Sequence, residues 1–296
     1  MKDPIFKGTC TAITTPFSST GAVDYDLFSR LIERQIESGI DALCVCGTTG
    51  ESATLCVREH ISVVEHCIRQ VAGRCKVIAG SGSNDTQAAL YLSQHAQDSG
   101  ADALLLVTPY YNKTTQTGLI RHYEYIAEHT ELPILLYNVP SRTGISLTAA
   151  TYETLSKHPR INGTKEASGN FSLILDTVAR CGDDLNLWSG NDDHVIAMMS
   201  LGACGVISVA ANLIPEPMIR MTHLFLNGKI EESATLQKRY AALIHALFIE
   251  VNPIPIKTAL QAIGLDSGHF RLPLCEMSTD NRLLLWHEMQ ALGLHH

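Results

Sequence analysis

Eight short runs rich in Val, Ile and Leu recur along the chain, each followed by a stretch of helical period, and this alternation narrows the possible folds most. The runs are "TCTAITT" (9–15), "ALCVC" (42–46), "KVIAG" (76–80), "ALLLV" (103–107), "PILLYN" (133–138), "INGTKE" (161–166), "LNLWS" (185–189) and "GVISV" (205–209). Between them lie amphipathic segments such as "DYDLFSRLIERQIES", "VREHISVVEHCIRQV" and "DTQAALYLSQHAQDS", with Asp24, Asn84 and Thr148 as expected helix caps. A strand that is apolar throughout needs cover on both faces, and a strand followed by a helix pairs in parallel with its successor. Eight such units predict an α/β fold, a closed (β/α)8 TIM barrel. An open doubly wound sheet is the structural alternative, but no GxGxxG follows the first run. After residue 228 the strand signal stops and the pattern is helical, with breaks expected at Pro253, Pro255 and Pro273. The expected organisation is a catalytic barrel over residues 1–228 and a C-terminal helical segment over 229–296.

A chain of 296 residues can bury one large core. Only 18% of it is charged against 45% hydrophobic, a thin polar surface that predicts subunit interfaces and hence a homo-oligomer. The net charge of -8 argues against nucleic acid or an anionic membrane as partner, because both require clustered Lys and Arg. There is no apolar run of membrane-spanning length, and the start "MKDPIFKGTC" lacks the apolar centre of a signal peptide, so a cytoplasmic location is expected. Nine cysteines, with no CxxC pair, read as reduced thiols. Cys44 and Cys46 alternate around Val45 and could share a strand face, but two thiolates without nearby partners make a poor metal site, and packing is favoured. The thirteen histidines include no HExxH, and His269, His295 and His296 have no supporting ligands, so chemistry without a metal is expected.

Barrel enzymes work at the carboxyl ends of their strands. Five unusual sequences fall there: "GTTGES", "TPYYNKT", "YNVPSRTG", "KEASGN" and "SGNDD". By default Lys165 is a surface cation or half of an ion pair with Glu166. Within an apolar barrel wall, however, the charged ammonium is disfavoured, and a neutral amine can attack a carbonyl to form a Schiff base. The turn "GTTGE" is by default a helix-capping turn, yet it also offers backbone N–H groups and the hydroxyls of Thr48 and Thr49 to a carboxylate. Tyr137 is either a core plug or a proton shuttle beside Lys165, with Thr48 as a relay. Tyr110 and Tyr111 suit rim packing or an interface. Arg142 is a surface cation unless it captures a second carboxylate at the mouth.

"GTTGES", "PYYNKT", "YNVPSRTG", "KEASG", "GVISV" and "NPIPIK" together resemble the dihydrodipicolinate synthase family of lysine and diaminopimelate biosynthesis, over nearly the whole chain from "GTCTAITTPF" to "RLPL". The resemblance implies a Schiff-base lyase that condenses pyruvate with L-aspartate 4-semialdehyde to 4-hydroxy-tetrahydrodipicolinate, without a cofactor. It places the imine on Lys165 and the proton relay on Tyr137 and Thr48. Tyr111 would complete the relay from a neighbouring subunit of a homotetramer built as a dimer of tight dimers. It further implies that Thr49 holds the pyruvate carboxylate, that Gly190 and the main chain of Ile207 line that pocket, and that Arg142 binds the semialdehyde carboxylate.

The N-acetylneuraminate lyases and other 2-keto-acid aldolases are the alternative, and they differ at "GTTGES", "YYN" and "PSRTG". A catalytically silent pyruvate-binding homologue is a second alternative, opposed by the joint presence of Lys165, Tyr137, Thr48 and Tyr111. Thr114 and Asn191 depart from the family pattern outside the reacting groups. Ser52, Ala53, His60, Asn84 and Tyr110 match the family's lysine-inhibitor site, but Val57 and Ala88 replace a histidine and a glutamate there. Lysine inhibition is therefore expected to be weak or absent.

Overall fold

In the computed structural model, which describes residues 2–294, each of the eight apolar runs is a strand. They are β1 (Gly8–Ala12), β2 (Ala42–Val45), β3 (Lys76–Gly80), β4 (Ala103–Val107), β5 (Ile134–Asn138), β6 (Ile161–Glu166), β7 (Asn186–Ser189) and β8 (Gly205–Ser208). All pair in parallel in chain order, and β8 returns to β1, so the sheet closes into the expected (β/α)8 barrel. The expectation about His295 and His296 lies outside the described residues. No helix among the described residues is long and apolar enough to cross a membrane.

Strand pleating sorts the side chains into two populations. Cys10, Cys44, Ile78, Leu105, Leu135 and Trp188 form one buried cluster that fills the lumen. Their neighbours Leu43, Val45, Val77, Leu104, Leu106 and Leu136 pack outward under the helices. β1 stops at Ala12 rather than Thr15. Beyond it the Thr14 N–H donates to Asn212 Oδ1 (3.1 Å) and the Thr15 hydroxyl to the Gly50 carbonyl (2.7 Å), so these residues serve loops instead of the sheet. Cys44 and Cys46 do not share a face. β2 ends at Val45 and Cys46 turns into the left-handed region (φ 55°), which moves its side chain to the outer cluster.

Two of the three expected caps form: Asp24 accepts from the Leu27 N–H and Thr148 from the Thr151 N–H. Asn84 does not cap. Asp85, one residue on, accepts from the Gln87 N–H, while the Asn84 carbonyl receives the Asn112 side-chain amide. The last helices are Pro215–Leu226, Ile230–Ala246, Ile254–Ala262 and Thr279–Ala291. Pro253 caps the third of these, and Pro255 lies in its first turn, where a missing N–H costs nothing, so Pro255 opens that helix instead of breaking it. Leu243, Ile256, Leu260, Leu285 and Met289 share one core with Val206 and Met218, so the C-terminal helices pack directly on the barrel.

Two polar clasps tie this C-terminal region to the chain that follows β2, one at Glu51 of "GTTGES" and one at Thr54 and Glu59 just beyond it. Lys257 Nζ is fully buried and donates to Glu51 Oε1 (2.6 Å) and to the carbonyls of His269 (3.0 Å) and Thr15 (3.3 Å), over the face of Phe17. Arg271 forks onto both Glu59 oxygens (2.6 and 2.8 Å) and also reaches the carbonyls of Gly21 and Thr54. That guanidinium holds the Glu59 carboxyl down at about 2.

Breaking one member of a buried pair leaves an uncompensated charge. Lys257→Met is therefore expected to cost about 3–5 kcal/mol in urea unfolding, with Glu51→Gln/Lys257→Met recovering part of the loss. Because the folded carboxyl of Glu59 is depressed, its contribution is present above the unfolded value near 4.5 and is lost as pH falls toward about 2. Glu59→Gln is expected to flatten that acid limb of the stability profile while leaving its shape above pH 6 unchanged.

Candidate active site

Lys165 stands in register with Tyr137 on β5 and Trp188 on β7, facing the lumen at the carboxyl end of β6. It is 5% exposed, and its Nζ lies 4.5 Å from the centre of the Tyr137 ring. The ion pair with Glu166 does not form. The pleat sends Glu166 to the opposite face, where its carboxylate accepts from Tyr152 Oη (2.8 Å), Asn138 Nδ2 (3.0 Å) and the Ser168 N–H (2.7 Å). Among the described residues no carboxylate lies within ion-pair distance of Lys165. Gly190 is the position that admits its stem: a Cβ there would lie 2.6 Å from Ala167 Cβ and 3.2 Å from Lys165 Cε. Ile207 is fully buried in the same lumen cluster as Tyr137.

Asp192 is a functional candidate that sequence reasoning missed. It is buried, and its Oδ2 accepts from the N–H groups of Val209 (3.0 Å) and Ala210 (2.9 Å). Burial pushes its carboxyl up, while these hydrogen bonds, the Ser208 hydroxyl and the charge of Lys165 pull the other way. The pair of aspartates in "SGNDD" was the available signal, but nothing in the sequence tells which one turns inward.

The loop after β2 folds back through two tight turns, with the Gly50 N–H on the Gly47 carbonyl and the Glu51 N–H on the Thr48 carbonyl, both at 3.1 Å. Thr49 is buried, and its Oγ1 receives the Asn252 side-chain amide (3.0 Å). Arg142, in the short helix Pro140–Thr143 after β5, donates to the Asn252 carbonyl (3.3 Å). Above the strand ends opens a cavity of about 370 Å³ bordered by Thr48, Val107, Arg142 and Asn252. Val107 is the β4 register partner of Tyr137, so the cavity begins one strand away from that ring. Lys165, Tyr137, Thr49, Gly190 and Ile207 are not part of its wall.

The residues matched to an inhibitor site divide. Ser52, Ala53, His60 and Tyr110 border the same cavity, as does Val57, whereas Asn84 and Ala88 do not. The His60 ring meets the Gly80 carbonyl (2.9 Å), and burial lowers its basicity. Tyr111 is not brought to the site by its own chain: it is 91% exposed on a left-handed backbone (φ 68°).

A barrel whose lumen holds a buried amine with no counter-ion, at the end where loops gather, has the design of an enzyme that condenses carbonyl compounds through a lysine. The chain belongs to the dihydrodipicolinate synthetase family, which it matches over residues 5–292. It is 48% identical to a 4-hydroxy-tetrahydrodipicolinate synthase of Caldicellulosiruptor saccharolyticus, over 95% of each chain. The crystal structure of dihydrodipicolinate synthase from Aquifex aeolicus superposes with a TM-score of 0.96 at 42% identity, covering 98% of this chain and 99% of that one. The enzyme from Cyanidioschyzon merolae, solved with lysine bound, gives 0.95 at 40% identity, covering 99% and 100%.

Gly190→Ala would force its new methyl against Ala167 and the Lys165 stem. The expected result is a fall of about 100-fold or more in kcat/KM, with the thermal midpoint changed far less. An unchanged kcat/KM would show that the Lys165 stem is not held by this contact.

Proposed function

We propose that this chain condenses pyruvate with L-aspartate 4-semialdehyde to give 4-hydroxy-tetrahydrodipicolinate, the lyase step of lysine and diaminopimelate biosynthesis, with Lys165 as the amine that carries pyruvate. The observation that supports this most is the buried Lys165 amine, unpaired and 4.5 Å from the Tyr137 ring centre. The amine attacks the pyruvate ketone and water leaves, giving a protonated imine. That imine is an electron sink: a methyl proton departs and the resulting enamine adds to the aldehyde. The amino group of the added substrate then displaces Lys165 and closes the ring.

The other roles follow from chemistry and position. Tyr137 and Thr48 move protons at the imine, and Tyr111 reaches the relay from a neighbouring copy of the chain, which explains why it stands exposed in a single chain. Thr49, Gly190 and the Ile207 main chain receive the pyruvate carboxylate, and Arg142 at the cavity wall takes the carboxylate of the semialdehyde. This reading makes the working assembly a homotetramer of two tight dimers in the cytoplasm. It also gives the C-terminal helical segment a task, since Lys257 holds Glu51 in the loop that bears Thr48 and Thr49, and Arg271 holds Thr54 just beyond it.

Lysine feedback is weak or absent in this account. Val57 presents an apolar side chain, 54% exposed, at the cavity edge, and Ala88 carries no acceptor for an ammonium group. The expected half-inhibition lies above roughly 1 mM lysine, and a submillimolar value would overturn this part.

The test of function is turnover of pyruvate with aspartate semialdehyde, coupled to NADPH oxidation by added dihydrodipicolinate reductase, with N-acetylmannosamine as the competing acceptor. Turnover with the semialdehyde alone, reduced by about 10⁴-fold or more in Lys165→Ala, is expected. Preference for N-acetylmannosamine would move the chain to the sugar-acid aldolases.

A further inference from the structure

The strand ends that carry Tyr137 and Lys165 are joined a second time, one residue further along. Tyr137 pairs with Lys165 and Asn138 with Glu166, so the pleat places the second pair on the face away from the lumen. There Asn138 Nδ2 donates to Glu166 Oε2 at 3.0 Å, and Glu166 is 3% exposed. The same oxygen accepts from Tyr152 Oη at 2.8 Å, and Oε1 accepts from the Ser168 N–H at 2.7 Å. Burial, and then the Glu166 charge, push the Tyr152 phenol up, which keeps it a donor. On the side of β7, the main-chain carbonyl of Glu166 accepts from the Gly190 N–H at 2.8 Å. Glu166 therefore binds both neighbours of its strand at the level of the site.

The side-chain tie matters because the β5–β6 pairing is irregular. Ile134 stands opposite Ile161, but Leu135 stands opposite Gly163, so β6 carries one residue more than β5 near its start. A shift of one residue turns every later side chain to the other face. A bond just beyond Lys165 pins the register that keeps the amine inside. We infer that Glu166 is a positioning residue: bound to Asn138, it locks the carboxyl ends of β5 and β6 together and so holds Lys165 Nζ at the Tyr137 ring. This inference rests on the proposed reaction, because it says how that reaction's amine and proton carrier are kept in place. Displacing such a pair by about 1 Å can cost roughly 100-fold in rate.

The experiment cuts the tie and keeps the shape. In Glu166→Gln the fixed Ser168 N–H claims the one remaining oxygen, so the new NH2 points at Asn138 Nδ2. Asn138 is held from turning by the Leu147 N–H, which donates to its Oδ1 at 3.2 Å. Kinetics of the full-length protein are measured well below each variant's thermal midpoint. In Glu166→Gln, kcat is expected to fall by about 30-fold or more while the pyruvate KM stays within about three-fold of wild type. Added to Tyr137→Phe, the same substitution is expected to lower kcat by less than about three-fold further, because the hydroxyl it places is already gone. A residue that served only the fold would lower the thermal midpoint and leave kcat unchanged.

A kcat within about three-fold of wild type in Glu166→Gln would overturn the inference. So would an undiminished loss in the Tyr137→Phe background, which would mean that Glu166 does not act through this pair. Should Glu166→Gln fail to fold, Asn138→Ala severs the same tie from β5, and the same two readouts decide. Wild-type protein that shows neither turnover with aspartate semialdehyde nor a borohydride-trapped pyruvate adduct would overturn the proposed reaction itself, and this inference with it, so the two failures are distinguishable.

Discussion

The pleat of β6 sends Lys165 into the barrel lumen and Glu166 to the outer face, and the proposed chemistry depends on that separation. Had both side chains pointed the same way, the carboxylate would have stood within reach of the amine. Instead Glu166 is fully engaged by Tyr152, Asn138 and the Ser168 N–H. The amine is left against the Tyr137 ring with a wall of apolar side chains below it. Closure of the barrel is what makes the lumen a low-dielectric chamber, and Gly190 keeps enough room beside the lysine stem for it to lie there.

The mouth of the barrel is held from outside the barrel. The "GTTGES" loop bends through a left-handed Glu51 (φ 51°), a conformation that a non-glycine residue adopts only when its surroundings compensate. Lys257, which arrives from the C-terminal helices, supplies that compensation at one carboxylate oxygen: it donates to Glu51 Oε1 in the dry interior, while Oε2 is buried without a hydrogen-bond partner. Asn252, five residues earlier, contacts Thr49 and Arg142. One short C-terminal stretch, within "NPIPIK", therefore supports both Thr49 and Arg142.

Much of this was legible in the sequence, for identifiable reasons. Strands that are apolar throughout admit few architectures, and eight of them with intervening helices leave the closed barrel. Lys165 stood out because a cation interrupts a run such as "INGTKE" only at a cost. Less legible were features fixed by the turn of a single residue: Cys46 leaving the strand face, Asp85 taking the cap from Asn84, and Asp192 turning inward while Asp193 stays out. Lys257, Glu51 and Asn252 were hidden because their partners lie some 200 residues away in the chain, at separations of 206 for the ion pair and 203 for the amide to Thr49. No local period records such a contact.

The central claim is that Lys165 is the amine that carries pyruvate, and the most direct measurement is reduction of the wild-type protein with borohydride in the presence of pyruvate, followed by peptide mass mapping. The account predicts a single pyruvate-derived adduct per chain, on the peptide that contains Lys165. No adduct, or an adduct on the other deeply buried lysine, Lys257, would contradict it.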